Sequence, residues 1–89
     1  MKMINEPGLE PKYVKIHPDE EFPKKPEKIL VGDIWLLPTW LRGEKIHRIA
    51  VVSKVYFDGS KTMIQFGEDE WSEWALLQGY VDCIFLARP

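Results

Sequence analysis

Trp71-Ser-Glu-Trp-Ala-Leu-Leu-Gln-Gly-Tyr80 follows two β-like runs and precedes a third, Ile84-Phe-Leu-Ala87. Ser72 has the side chain of a helix N-cap, and Glu73 behind it favours the positive end of the helix dipole. Trp71 and Leu76 then stand at the spacing of a hydrophobic staple. Trp74, Leu77, Tyr80 and Val81 would share an inward face if the helix ran on, but Gly79 is a stop signal, so one or two turns ending there are expected. A helix that short is marginal alone and has to dock on something flat. An otherwise all-β chain thereby becomes a small barrel or curled sheet with one short helix pinned across it.

Upstream, Thr62-Met-Ile-Gln-Phe66 reads as a strand with Thr62, Ile64 and Phe66 on one face, and Asp58-Gly59 before it is a strong hairpin signal. Lys45 to Phe57 is the longest β-like run. Its odd positions (His47, Ile49, Val51, Ser53, Val55, Phe57) are more apolar than its even ones (Ile46, Arg48, Ala50, Val52, Lys54, Tyr56), which predicts one half-buried antiparallel strand with the odd face inward. Leu30-Val-Gly-Asp-Ile-Trp-Leu-Leu37 reads as a strand ended by Pro38, with Pro38 to Gly43 as a loop carrying Trp40 and Arg42. Gly67-Glu-Asp-Glu70 reads as an acidic loop.

Residues 1–30 hold five of the seven prolines (Pro7, Pro11, Pro18, Pro23, Pro26), too many for a long helix or a central strand. Residues 1–28 are therefore expected to be an extended proline- and charge-rich arm, with Tyr13 to Ile16 as one short edge strand. Residues 29–89 are expected to form the β domain.

Val31-Gly-Asp-Ile-Trp35, the run Ile49-Ala-Val-Val-Ser-Lys-Val-Tyr-Phe57 and Trp71-Ser-Glu-Trp-Ala-Leu-Leu77 together resemble small SH3-like-barrel proteins encoded by phages and prophages. The likeness is one of element order over about the last sixty residues. It implies an SH3-like barrel and an accessory factor that binds proteins or nucleic acids, and it transfers no functional residue.

The 89 residues suffice for one domain. Twelve basic against fourteen acidic residues give a formal charge of −2, without the basic surplus usual for phosphate-driven duplex binding. Cys83 is the single cysteine, so no internal disulfide forms, and its apolar neighbours predict a buried thiol rather than a nucleophile. No apolar run has signal-peptide or membrane-spanning length, which points to the cytoplasm and away from a membrane. His17, His47 and Cys83 lack metal-ligand spacing, no phosphate loop exists, and no nucleophile is matched to a base. His47 reads as a satisfied wall histidine. Neither a metal, a cofactor nor catalysis is expected, although Glu68, Asp69, Glu70 and Glu73 crowd together as a general acid would require.

Two features carry the expectation of binding. Trp40 with Arg42, Lys45, Arg48 and Lys54 makes an aromatic and basic patch that suits a protein hot spot or stacked nucleic-acid bases. Trp71 among Glu68, Asp69 and Glu70 makes an acidic aromatic one suited to proline-rich or cationic ligands. Their opposite charges also suit self-association. The reading is a non-catalytic interaction domain with a protein partner, a phage or mobile-element accessory factor. The alternatives are a nucleic-acid-binding β-barrel and a small enzyme or active-site-completing subunit.

Overall fold

The computed structural model describes residues 1–4 and 12–89, so Pro7 and Pro11 of the expected arm lie outside the described residues. The chain is mainly β, with strands β1 (Lys2–Ile4), β2 (Tyr13–Lys15), β3 (Ile34–Leu41), β4 (Glu44–Val51), β5 (Lys54–Phe57), β6 (Thr62–Phe66), β7 (Asp69–Ser72) and β8 (Ile84–Ala87). A π-helical turn, Ala75–Gly79, joins β7 to β8. A five-stranded antiparallel sheet runs β1-β2-β4-β3-β8, and a three-stranded one runs β5-β6-β7. The segment around Tyr13 is an interior strand, not an edge one: β2 lies between β1 and β4.

The β3–β4 hairpin corrects the expected end at Pro38. β3 runs through Pro38 to Leu41 and turns on Arg42 and Gly43, both at positive φ (52° and 77°), the pattern of a two-residue type I′ turn. Leu41 and Glu44 close that turn, so hydrogen-bonded pairs with β4 fall on Leu41, Thr39, Leu37 and Trp35. Pro38 pairs with His47 in the intervening, non-bonded class, and the donor it lacks would point away from β4. On that side β8 accompanies β3 only over Ile34, Trp35 and Leu36. A proline at an open edge breaks no ladder bond.

The expected long strand is two strands in two sheets, and its inward face is the opposite of the predicted one over β4. Ile46, Ala50 and Val52 are buried while Val51 is exposed and Phe57 is 66% exposed. The chain crosses between sheets at Val52 and Ser53. Val52 N donates to Asp33 O at 2.9 Å, whereas Ser53 N donates to Gln65 O at 2.8 Å. The crossing shifts the alternation, so in β5 it is the odd residue Val55 that packs against the core.

That core joins Trp35, Leu37, Ala50 and Phe85 of the large sheet to Ile64 and Phe66 of the small one, with Val52 at the crossing and Ile29, Leu76 and Cys83 closing it. Trp35 and Phe85 meet edge to face at 5.6 Å between centroids. Val14 and Leu36 are also fully buried but lie on the other face of the large sheet, outside this cluster.

The helical turn begins as its sequence predicts. Ser72 Oγ accepts from Ala75 N at 3.1 Å, and the turn ends at Gly79. Its π step coincides with a contact from the proline-rich segment. Lys25 Nζ donates to Leu76 O at 2.6 Å, the carbonyl an α-helical Tyr80 N–H would use, and Tyr80 N donates instead to Ala75 O at 2.9 Å. Lys25 also reaches Tyr80 O at 3.0 Å, so a residue of the proline-rich segment closes the end of the turn. The inward face conditional on a longer helix does not form: Trp74, Tyr80 and Val81 are exposed, and Ala75 and Leu76 are buried instead.

Candidate functional site

Trp40 is 70% exposed, yet it stands on a strand rather than in a loop. The tight Arg42-Gly43 turn and pairing with Lys45 fix its backbone position. Its side chain shares a sheet face with Pro38, His47 and Lys45, the non-bonded pairs on this side of the hairpin. Lys45 Nζ forms an ion pair with Asp82, and His47 Nε2 lies 2.9 Å from Asp82 O, so Nε2 carries the hydrogen it donates. These contacts bring the turn Tyr80 to Cys83, closed by Cys83 N donating to Tyr80 O at 3.3 Å, beside the Trp40 margin. Tyr80 is 54% and Val81 89% exposed. Trp74, also exposed, lies with its ring against Gly79.

The structure does not assemble the expected basic patch as a continuous cationic surface. Lys45 is committed to Asp82, Arg48 to Asp69, and Lys54 lies 5.1 Å from the centroid of the Tyr56 ring. Arg42, at the tip of the hairpin, is exposed and engaged in an interaction of its own. Half of the expected acidic loop is strand: Asp69 and Glu70 belong to β7, and Gly67 and Glu68 form the turn before it. Glu70 accepts from Tyr56 Oη at 2.7 Å, which pushes the Tyr56 hydroxyl pKa up from its ordinary value. Arg48–Asp69 therefore links the two expected patches inside one molecule. Trp71 is half-buried on β7 opposite Ile64, packs against the core, and meets Tyr80 edge to face at 5.6 Å.

Two clefts accompany this surface. One of about 430 Å³ lies between the β1–β2 pair and the hairpin tip, with Leu41 and Ile46 at its floor and the Lys15–Glu44 ion pair at its rim. Sequence spacing gives no warning of it, because Lys2–Ile4 and Glu44–Val51 are brought together only by β2 between them. A smaller one of about 270 Å³ is lined by Arg48, Phe66, Glu68 and Asp69. Cys83 is fully buried, and burial pushes its thiol pKa up to about 11, leaving a neutral thiol at physiological pH. Among the described residues no group of three or more His, Cys, Asp or Glu side chains could hold a metal ion, and no helix is long and apolar enough to cross a membrane.

The chain matches no protein-family model, no curated protein and no solved structure.

Proposed function

We propose that this protein is a small protein-binding domain, and that its partner engages the Trp40 margin, formed by Pro38, Trp40 and the Tyr80–Val81 corner. The observation that carries this reading is Trp40 itself. A tryptophan left 70% exposed on a rigid hairpin withholds a large apolar surface from a core that a chain of this size needs. Tryptophan so placed is the residue type that dominates binding energy at protein interfaces. The type I′ turn fixes the strand beneath the ring, and tryptophan has only two side-chain torsions to lose on binding. The accessory-factor role suggested by element order fits such a domain. Nucleic-acid binding gains less support, because Lys45 and Arg48 already neutralise Asp82 and Asp69.

The test is affinity capture from the source cell with the intact chain and with Trp40→Ala. A partner held by the wild type and lost by a folded Trp40→Ala variant supports the reading. Capture unchanged by the substitution places the interface elsewhere, and unfolding of the variant gives Trp40 a structural role instead.

A further inference from the structure

We infer that the open half of β3 receives an extended peptide segment of another protein as an added strand, with Trp40 as its anchor, an inference that rests on the protein-binding reading above. In β3 the even-numbered residues turn their backbone groups away from β4. Leu36 meets Ile84 there, but β8 pairs no further than Leu36. The chain before β8 instead folds back through the Tyr80–Cys83 turn. Trp40 N–H, Trp40 C=O and Pro38 C=O thus face a gap that no described strand fills. The independent bond from Ile49 N to Lys12 O at 3.0 Å fixes this alternation, because it shows that Ile49, opposite Leu36, points away from β3.

A donor and an acceptor on one residue at a strand edge are complementary to an extended backbone and to little else. The gap spans Pro38 to Leu41, roughly 13 Å at strand rise. A second folded copy docking by the same short edge would bury far less than the roughly 1,200 Å² of a standard stable interface. A flexible peptide has no such limit, since it can leave the edge and follow the Tyr80–Val81 corner. Pro38 removes one edge donor, a known means of blunting strand edges against indiscriminate pairing. Selectivity then falls to side chains. The peptide residue opposite Trp40 projects beside Trp40 and Pro38, where the nearest charges, Lys45 and Asp82, already satisfy each other. The peptide therefore carries an apolar residue at that position, and not proline, because its N–H is donated to Trp40 C=O.

Random peptides displayed on phage are selected on the immobilised full-length chain, and the winners are synthesised with single backbone N-methyl groups along their length. Strand addition predicts that methylation of the nitrogen paired with Trp40 C=O weakens binding about five- to tenfold, the worth of one hydrogen bond, while the neighbouring nitrogens tolerate it. Trp40 amide exchange should slow at least in proportion to peptide occupancy. Peptides that need the Trp40 side chain but ignore methylation at every position would overturn strand addition and leave protein binding standing. So would a captured partner that depends on Trp40 without any enriched peptide. Trp40 protection that rises with protein concentration alone would give the edge to a second copy and overturn the peptide. Neither peptide nor partner would overturn both readings.

Discussion

Asp33 reaches the interior, 1% exposed, because its two oxygens are fully used. Arg88 donates to both of them at 2.8 Å, through Nε and Nη2, and Leu30 N donates to Oδ2 at 2.9 Å. The same guanidinium reaches Lys28 O at 2.8 Å, so one side chain near the end of the chain holds the entry to β3. The Arg88 hydrogen bonds hold the Asp33 carboxyl below its ordinary pKa of 3.8, against the opposing push of burial. A depressed carboxylate pKa stabilises the fold at every pH above the unfolded value. That contribution fades as pH falls below about 4 and through the folded value. Asp33→Asn should cost about 1–3 kcal/mol at pH 7, the range for an impaired hydrogen bond to a charged partner. The difference from wild type should shrink in urea titrations taken towards pH 3. A variant whose deficit is the same at pH 7 and pH 3 would show that the charge on Asp33 contributes nothing.

At the level of elements, the helical turn is a set of local constraints that agree with one another. Ser72 caps its start, Lys25 closes its end, and Leu76 anchors it in the core. Gly79 is needed there for room rather than for backbone freedom. A Cβ at this position would come within 2.7 Å of Trp74 Cζ3. The indole therefore lies over the glycine, and the Gly79 α-protons should show upfield ring-current shifts that vanish in Trp74→Ala. Gly79→Ala should push the ring aside into solvent, at a cost below the roughly 1–3 kcal/mol of an overpacked core, because Trp74 is 64% exposed. Ordinary α-proton shifts in the wild type would refute the stacking. This turn was legible because its signals, the cap, the staple and the stop, all lie within ten residues. β6 and β8 were legible for the same reason, β6 as a short run with one apolar face and β8 as a short continuous apolar run, each next to turn residues. Pro38 misled because its meaning depends on β8 reaching no further along β3 than Leu36, where it begins at Ile84, far along the chain. The Lys45–Phe57 run misled because its alternation shifts at Val52 and Ser53, a crossing between sheets set by Asp33 and Gln65. Of the candidate site, Trp40 was legible as a candidate but its exposure was not: Pro38 and Gly43 suggested a loop, whereas the ring stands out from a strand. The charge pairing did not, since Lys45–Asp82 and Arg48–Asp69 join residues that only the assembled sheets bring close.

On the scale of the whole molecule, the proline-rich segment is woven into the sheet rather than appended to it. β2 fills the position next to β4, with Tyr13 opposite Arg48 and Val14 opposite His47, and Ile49 N donates to Lys12 O. Val14 is fully buried, and Lys25 holds the helical turn on the far side of the chain. A chain beginning at Glu27 would lose this strand, its buried valine and both lysine bonds, and would uncover the β4 edge. Burying one valine is worth about 1.5–3 kcal/mol, and each net hydrogen bond about 1 kcal/mol. Those losses together approach the 5–15 kcal/mol that holds a typical domain folded. The shortened chain should therefore unfold at a much lower urea concentration than the intact one, or fail to fold at all, with the exposed β4 edge promoting association. Circular dichroism across a urea series, paired with sedimentation at two protein concentrations, measures both effects. An unfolding midpoint equal to that of the full chain would show that residues 27–89 carry the stability alone, and that the segment before them is free to act as a separate arm.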